Sequence, residues 1–491
     1  MTLPARTPLA NEDLLPVSPD RRTWNWWNIA SLWIGMAICI PTYTLASGLM
    51  ASGWTWQAAV GAIILGNVVV LIPIALNSHA GTRYGIPFPV LARASFGVLG
   101  ANIPALLRGL VACGWFGIQT WIGGWAIYKL IEVLWPGIAT LPQLLPAFVG
   151  LNTGEFLCFM LFWAMNVWIV LRGMDSIKFL ETWGSPFLLA VGAALFVWAW
   201  VRAGGVGPML ENPPVGLSGR PPVGSIFGAG LTSAVAFWGT MALSIPDFSR
   251  YARSQRDQLV GQAVGLPATM ALFAFIGAAV TNATVVIFGT RIADPVALLA
   301  RIGGPLMIML SMAGLIIATL TTNIAANIVA PANGFSNLAP HKITFKQGAM
   351  ITAVIGILMM PWRLYNDAAA YIFTWLIGYG ALLGPVAGVM IADYFVVRRG
   401  ELIVNDLYKR HGAYEYSRGF NGVAIGALAL GALPSLPGFV AALRGVPETG
   451  VFGTIYNWAW FVGFLLSALV YVIGMRVGAG SRERGAIGAR A

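Results

Sequence analysis

The sequence contains few charged residues, few cysteines and few histidines. Only 10% of its 491 residues are Asp, Glu, Lys or Arg, whereas 58% are hydrophobic. Soluble domains carry about 25% charged residues, so this scarcity excludes an ordinary soluble globular protein. The three cysteines, Cys39, Cys113 and Cys158, all lie in apolar segments, which argues against a disulfide framework. The three histidines are far apart in sequence and show no metal-ligand spacing.

The sequence instead contains many long apolar runs. A membrane-spanning helix needs about 20 mostly apolar residues. The sequence predicts twelve such segments, numbered here 1 to 12, at 27–52, 56–77, 104–133, 155–172, 184–203, 224–246, 266–289, 305–333, 345–363, 368–396, 420–443 and 451–474. We therefore expect an all-α integral membrane protein whose main partner is the lipid bilayer. The polar residues before segment 1 contain no apolar stretch, so we expect no cleaved signal peptide.

The net charge of +11 follows the predicted loops and forms no nucleic-acid patch. If the N-terminus lies inside, most of the 29 lysines and arginines fall in loops on that same side. By the positive-inside rule, this bias predicts a multi-pass protein of the cell (inner) membrane with both termini in the cytoplasm. We expect no obligate protein partner.

One phrase occurs twice in the chain. "LWIGMAICIP" at 32–41 and "FWGTMALSIP" at 237–246 share Trp, Met, Ala, Ile and Pro at matching places. The copies stand in segments 1 and 6, so they enter the membrane from opposite sides, as in an inverted-topology repeat with a binding site near the midplane. This predicts a secondary transporter with a five-plus-five inverted repeat. Its parts are an N-terminal segment (1–26), repeat one with segments 1–5 (27–203), repeat two with segments 6–10 (224–396), segments 11–12 (420–474) and a cytoplasmic tail (475–491).

Proline explains why both phrases predict a broken helix. It removes one backbone donor and clashes with the carbonyl four residues before it. Pro41 therefore frees the carbonyl of Ala37, and Pro246 frees that of Ala242. Freed backbone at membrane depth must be buried in protein or line a polar cavity. We therefore expect discontinuous helices 1 and 6 that border the binding site.

Polar residues in segments 3 and 8 are candidates for that site. Trp115 and Gln119 are four apart and share one helix face, where a ring can stack on a planar ligand and an amide can pair with its edge. The alternative for Gln119 is an interhelical hydrogen bond. Thr321 and Thr322 offer the oxygen ligands that hard cations bind. The alternative for each threonine is a bond to its own helix backbone.

No charged residue lies in the middle of segments 1, 3, 6, 8 or 10. A charged substrate would normally meet a buried counter-charge, and a proton relay would show carboxylates or histidines. We therefore expect a neutral polar ligand. A membrane enzyme would need acids, histidines or a metal constellation there, so we expect no enzyme and no cofactor besides a coupling cation. A ligand sensor built on a transporter fold is the alternative from another class.

At "GWFGIQTWIGG" (114–124) the sequence resembles the nucleobase–cation symporter-1 family, whose members are permeases for nucleobases, allantoin and hydantoins. Further matching stretches are "NEDLLPV" (11–17), "GTRYGIPFPVLARASFG" (81–97), "SIPDFSRYA" (244–252), "NIAANIVAPA" (323–332) and "GPVAGVMIADYFVVRRGEL" (384–402). The resemblance covers roughly residues 11–475 and implies a LeuT-like five-plus-five fold. It also implies a small heterocyclic substrate that enters the cell together with a cation.

The resemblance assigns roles to seven residues at the substrate. Trp115 and Trp238 should sandwich the ring, and Gln119 and Asn327 should hydrogen-bond its amide edge. Phe237 matches a position that lines the same pocket. The two remaining positions are a residue on helix 10 that helps to occlude the site and a residue on helix 1 that faces the substrate; they are Leu376 and Cys39.

The resemblance also implies a sodium site. Its ligands should be two threonine hydroxyls and three main-chain carbonyls, namely Thr321 and Thr322 with Gly35, Ile38 and Ala318. Proton coupling is the alternative. The thiol of Cys39 replaces a polar amide of the family's hydantoin carrier and is a weak hydrogen-bond partner. The motifs therefore look closest to the allantoin and uracil branch, with hydantoin or cytosine and purines as alternative substrates.

Overall fold

The computed structural model describes residues 8–172, 174–210, 223–365, 370–446 and 450–488, and this part of the chain is mainly helical. The α-helices up to residue 210 are α1 (Trp26–Ala37), α2 (Ile40–Ala51), α3 (Trp56–Tyr84), α4 (Phe88–Phe96), α5 (Asn102–Leu134), α6 (Thr153–Arg172), α7 (Met174–Arg202) and α8 (Val206–Leu210). Among the described residues the β-type contacts are isolated bridges, Trp24 with Ala252 and Ser417 with Phe420. The all-α prediction is confirmed for this part of the chain.

The second half of the chain continues the helical pattern. Its α-helices are α9 (Val223–Phe237), α10 (Gly239–Ser244), α11 (Pro246–Ser249), α12 (Gln255–Phe288), α13 (Pro295–Leu299), α14 (Pro305–Asn327), α15 (Val329–Leu338), α16 (Phe345–Leu358), α17 (Pro361–Leu364), α18 (Ile377–Ile391), α19 (Gly422–Ala432), α20 (Leu436–Leu443), α21 (Val451–Asn457) and α22 (Ala459–Gly488). Two π-helical stretches, Ala370–Leu376 and Ala392–Val397, flank α18.

Eight helical stretches of the described residues are long and apolar enough to cross a membrane, and the bent pair α1/α2 makes a ninth. Three shorter apolar helices, Leu189–Arg202, Phe227–Phe237 and Phe345–Leu358, lie at predicted segments 5, 6 and 9. A described helix therefore stands at each predicted segment, while twelve full spans stay a prediction. Of the predicted parts, residues 1–7, 173, 366–369, 447–449 and 489–491 lie outside the described residues.

The first predicted helix is broken at its middle. Helix α1 ends at Ala37 and α2 begins at Ile40, and their axes differ by 55°. Pro41 lies in the first turn of α2, where its missing N–H costs nothing. The backbone N–H of Cys39 donates to the Ala37 carbonyl at 3.0 Å, so the carbonyl that Pro41 frees keeps a partner at the break.

The sixth segment is interrupted at two places. Trp238 separates α9 from α10, with backbone φ −101° and ψ 11°, and Pro246 then begins α11. The carbonyl of Ala242, which Pro246 frees, accepts a hydrogen bond of 2.7 Å from Nδ2 of Asn77 on α3. The sequence indicated the freed carbonyl but neither its partner nor the earlier interruption at Trp238.

Helix packing brings the broken segments next to α5 and α14. Helix α1 packs along α12 and against α14, while α5 packs against α14, α15 and α6. Small residues permit this: a Cβ on Gly117 of α5 would lie 2.6 Å from the carbonyl oxygen of Gly356. Because α5 and α16 touch through main chain here, α5 is fixed with its polar residues facing α1, α10 and α14.

Candidate substrate and cation site

A small cavity lies where α1, α5, α10 and α14 meet. Its volume is about 30 Å³, and it is lined by Met36, Cys39, Trp115, Gln119, Phe237, Trp238, Thr240, Met241, Thr322, Ala326 and Asn327. Six of the seven residues that the sequence predicts at the substrate are among them. The seventh, Leu376, is fully buried at the end of a π-helical stretch and is not one of the lining residues.

Aromatic rings form one wall of the cavity. The ring of Phe237 contacts both predicted tryptophans, with centroid distances of 5.4 Å to Trp115 and 5.1 Å to Trp238. The indole N–H of Trp115 donates to the Tyr379 hydroxyl at 3.3 Å, and that hydroxyl donates to the carbonyl of Ala236 at 2.8 Å. These hydrogen bonds hold Trp115 by its indole N–H, and its ring forms part of the cavity wall.

Two residues that line the cavity carry buried polar atoms without partners. Oε1 of Gln119 and Nε1 of Trp238 are buried, and neither has a hydrogen-bond partner among the described residues. A buried polar group without a partner costs about 1–3 kcal/mol, so these atoms are suited to a ligand that supplies the missing bonds. Gln119 offers an acceptor and Trp238 a donor, which matches the N–H and C=O edge of an amide ring.

Asn327 is fixed by a chain of side-chain amides. Its Nδ2 donates to Oδ1 of Asn323 at 3.0 Å. Nδ2 of Asn323 in turn lies 3.1 Å from the Thr120 hydroxyl and 3.1 Å from Oδ1 of Asn166. Asn323 does not line the cavity, so its role is to orient Asn327 from behind. The spacing of Asn323 and Asn327 places them on one helix face, but only the fold shows which of them reaches the cavity.

The volume of the cavity limits what it admits in this conformation. A water molecule needs about 10–15 Å³ of such space, so the cavity has room for about two waters and not for a heterocycle. Phe237 stands between the two tryptophans that are predicted to hold the ring. A planar ligand therefore enters only when the aromatic wall moves.

The predicted cation ligands lie beside this cavity, where the break of α1 meets α14. The hydroxyl of Thr322 donates across the helices to the carbonyl of Gly35 at 3.1 Å. The hydroxyl of Thr321 donates to the Ala318 carbonyl of its own helix at 2.6 Å. Ile38 packs against Ala318 in a small cluster. The five predicted ligand residues are thus neighbours. Thr321 bonds to its own helix backbone, which is the alternative that the sequence left open for each threonine.

The donor set fits a small hard cation. Each hydroxyl uses its hydrogen on a carbonyl and keeps lone pairs, and each carbonyl oxygen has a second lone pair. All five ligands are neutral oxygens of the kind that hard cations bind. Among the described residues no cluster of three His, Cys, Asp or Glu could hold a metal ion.

Four lining residues were not predicted from the sequence: Met36, Thr240, Met241 and Ala326. Met36 and Met241 occupy matching places in the repeated phrase, so the repeat itself carried the signal that would have found them. Thr240 precedes Met241 in the same phrase. Ala326 carries no signal of its own, because an alanine in an apolar helix is unusual neither in composition nor in spacing.

Comparisons with known proteins identify the family. Residues 16–463 match the sequence profile of a family described as permeases for cytosine/purines, uracil, thiamine and allantoin. The chain is 45% identical to a purine-uracil permease of Arabidopsis thaliana over 95% of this chain and 77% of that protein. It is 43% identical to the allantoin permease of Bacillus subtilis over 96% of this chain and 94% of that protein.

A solved structure extends the likeness to the fold. Mhp1, a nucleobase-cation-symport-1 family transporter in a closed conformation with bromovinylhydantoin bound, superimposes with a TM-score of 0.77 at 27% identity. The match covers 96% of each chain. The expected family and the LeuT-like fold are thereby confirmed, as is the expectation that the protein is no enzyme. The chain belongs to the nucleobase–cation symporter-1 family, and it is a membrane-embedded transporter.

Proposed function

We propose that the protein imports a neutral heterocycle, allantoin or uracil, by symport with sodium. The observation that carries the proposal is the unpartnered Oε1 of Gln119 in a cavity walled by Trp115 and Phe237. An aromatic wall stacks on a planar ring, and a lone buried acceptor selects a ring with an N–H group. The names of the relatives, a purine-uracil permease and an allantoin permease, support the same substrate class.

The ring lies between Trp115 and Trp238 after Phe237 moves aside. Gln119 and Asn327 then bond its amide edge, and Leu376 closes over the site from helix 10. The thiol of Cys39 is engaged with the Thr42 hydroxyl at 3.3 Å. This contact leaves Cys39 a poor partner for the ligand and favours allantoin or uracil over hydantoin.

Sodium binds at the oxygens of Gly35, Ile38, Ala318, Thr321 and Thr322. Thr322 carries the coupling, because it lines the substrate cavity and also bonds to Gly35 on α1. A cation that orders this contact fixes α1 against α14 beside the substrate. Because coupling between two sites is reciprocal, sodium raises substrate affinity by the same factor by which substrate raises sodium affinity.

Transport follows alternating access across the cell membrane. Twelve spans form repeat one (27–203), repeat two (224–396) and two added helices (420–474), with both termini in the cytoplasm. Broken helices 1 and 6 move against helices 3, 4, 8 and 9. The ligands shift this equilibrium only through their differential affinity for the two orientations.

The test is uptake of radiolabelled allantoin, uracil, hydantoin and cytosine into proteoliposomes that contain the purified chain. We expect a sodium gradient to drive uptake of allantoin or uracil, and Trp115→Ala to abolish it because the stacking face is lost. Trp27→Ala, at an exposed tryptophan outside the site, is the matched control and should transport normally.

Each of the other outcomes would overturn a different part of the proposal. Uptake driven only by a proton gradient would overturn sodium as the coupling ion. Uptake of hydantoin alone would overturn the substrate assignment. Tight binding of a ligand with no uptake under either gradient would indicate a sensor and overturn transport by this chain. Normal uptake by Trp115→Ala would remove the stacking interaction.

A further inference from the structure

A second, larger cavity lies next to the central one. Its volume is about 260 Å³, close to the lower end of the roughly 300–1,000 Å³ that is usual for ligand pockets. Tyr371 separates the two cavities: it lines the larger one, and its ring lies 6.0 Å from that of Trp115 in the central one. The Tyr371 hydroxyl also donates to the Pro41 carbonyl at 3.3 Å, next to the break of α1. We name this larger space the outer cavity.

The position of the outer cavity puts it on the route of a ligand. Thr44 and Ser47 of α2 line it, and they lie between the break after α1 and the C-terminal end of α2. Trp121 and Trp125 line it from α5, further along that helix than Trp115 and Gln119. The outer cavity therefore lies on the side of the central cavity away from the N-terminus. With the N-terminus in the cytoplasm, this side faces the outside.

Stacked aromatic rings form one side of the outer cavity. The rings of Trp121 and Trp125 are 5.8 Å apart at an interplanar angle of 28°, and Trp125 stacks on Tyr128 at 5.4 Å and 11°. Trp121 and Trp125 are both half-buried, so part of each ring remains accessible. The Lys129 ammonium lies over the Trp125 and Tyr128 rings at 4.6 and 5.5 Å, so a further planar molecule would stack on the accessible parts of Trp121 and Trp125.

A charged acceptor stands beside these rings, within reach of the Trp125 side chain. The carboxylate of Asp294 accepts from the backbone N–H groups of Val296 and Ala297 at 3.0 and 3.2 Å, and it lines the cavity. These two bonds leave lone pairs on both carboxylate oxygens. Burial raises the pKa of Asp294, while those backbone bonds, the Trp125 side chain and the nearby Lys129 cation act in the opposite direction. Among the described lining residues Asp294 is the only charged one, in contrast to the neutral central cavity.

We propose that the outer cavity is a second binding site for the same planar heterocycles, with the ring against Trp121 and Trp125 and its N–H groups on the carboxylate of Asp294. The inference rests on the proposed substrate class. A hydrogen bond to a carboxylate is roughly twice as strong as one between neutral groups, so this site selects ligands with free N–H groups. The heterocycle then waits here until Tyr371 moves and admits it to the central cavity.

The experiment measures how many ligand molecules one full-length chain binds. Equilibrium dialysis of the purified protein with radiolabelled uracil, and separately with allantoin, should give two sites in the wild type. Trp115→Ala should remove the central site and keep the outer one. Asp294→Asn should weaken the outer site at least tenfold and keep the central one. Asparagine still caps α13, so this variant keeps the local fold. Asp20→Asn, at an exposed carboxylate, is the matched control.

A second variant and a second ligand sharpen the result. Trp121→Leu should weaken the outer site without touching the central one. Uracil methylated at both ring nitrogens should bind the outer site at least tenfold more weakly, because it offers Asp294 no N–H group.

The outcomes separate this inference from the proposed function. One site in the wild type that Trp115→Ala abolishes would overturn the outer site and leave the proposed function intact. Two sites that are both indifferent to Asp294→Asn would overturn the assignment to this cavity. No binding of either ligand by the wild type would overturn both.

Discussion

The two ends of the path through the central cavity are closed by different kinds of contact. On the side of the N-terminus, buried arginines bind main-chain carbonyls, two of which lie in the segment 9–22. Arg93 donates to the carbonyls of Leu9 and Leu407 at 2.7 and 3.0 Å, and Arg250 donates to that of Asp13 at 2.8 Å. On the other side, the corresponding contacts are hydrogen bonds of two tyrosine hydroxyls that border the outer cavity of about 260 Å³.

The tyrosine contacts are few and local. Tyr365 donates to the Thr44 hydroxyl at 2.6 Å, and Tyr371 donates to the Pro41 carbonyl at 3.3 Å. A neutral hydrogen bond contributes about 0.5–1.5 kcal/mol, whereas one from a charged group contributes about 1.5–3 kcal/mol. By these contributions, the arginine contacts toward the N-terminal segment are stronger than the tyrosine contacts toward the outer cavity. In the proposed alternating access, opening toward the N-terminus would break several arginine bonds, and opening toward the outer cavity would break about two tyrosine bonds.

The largest expected effect comes from Arg93→Ala. The guanidinium also donates to Oδ1 of Asn337 at 2.6 Å, so the variant removes three hydrogen bonds of a buried charged group. Burial lowers the pKa of Arg93 to about 10, so the group is still charged at neutral pH. We expect a loss of about 4 kcal/mol in stability. Thermal unfolding in detergent measures it, with the exposed Arg444→Ala as control. An unchanged melting temperature would contradict the arginine seal.

Thr322→Ala acts between the two ends. It removes the hydroxyl that joins α14 to Gly35 on α1. We expect the enhancement of ligand binding by sodium to fall more than tenfold, while binding without sodium changes little. Binding assays with and without sodium measure this. Thr319→Ala is the matched control, because that hydroxyl is equally buried in α14 but bonds only to the Leu315 carbonyl. Equal losses in both conditions would make Thr322 a structural residue.

Arg250→Gln weakens the contacts on the side of the N-terminal segment. The loss of the charged bond to the Asp13 carbonyl should make opening on that side about 1.5 kcal/mol easier, which is roughly tenfold. Cys39 lines the central cavity and is a native reporter of opening. Its modification by a charged thiol reagent, applied to one face of a vesicle at a time, measures the change after Cys113 and Cys158 are replaced by alanine. Arg253→Gln, which alters a surface ion pair, is the control.

If the reagent reached Cys39 in Arg250→Gln no faster than in the control, the segment 9–22 would not take part in closure. Faster modification only from the opposite face would reverse the comparison between the two ends.

The smallest expected effect comes from Tyr365→Phe at the other end. The variant keeps the ring but loses the hydroxyl contact with Thr44, which contributes about 1 kcal/mol. We expect modification of Cys39 from the outer face to rise by about three- to fivefold, with no change from the N-terminal face. An effect larger than that of Arg250→Gln would show that the tyrosines, and not the arginines, hold the stronger seal.

Much of the central site was readable from the sequence because its chemistry is unusual for a membrane helix. Gln119 and Asn327 are amides at membrane depth, and Trp115 lies too deep for an interfacial tryptophan, so each of them needs a partner or a ligand. Leu376 carries no such signal, and the structure buries it outside the lining of the cavity. Met36 and Met241 were marked only by their matching places in the repeat.

The outer cavity could not be predicted in this way. Asp294 stands in a loop, where a carboxylate is ordinary, and Trp121 and Trp125 resemble the interfacial tryptophans that border most membrane proteins. Only the packing of α2, α5 and α13 shows that these residues share one space. Residues from such distant parts of the chain have no common period or spacing that a sequence pattern could reveal.

Hydropathy, proline positions and residue types along the chain are enough to predict the membrane class, the broken first helix and the chemistry of the central site. Hydropathy and proline act locally, so their consequences are legible along the chain. The tertiary structure decided which helix faces meet, how Asn77 satisfies the carbonyl of Ala242, and why one end is sealed by arginine while the other holds a cavity. Helices that are apolar on all sides carry no preferred face in their sequence, and only their packing against one another selects it.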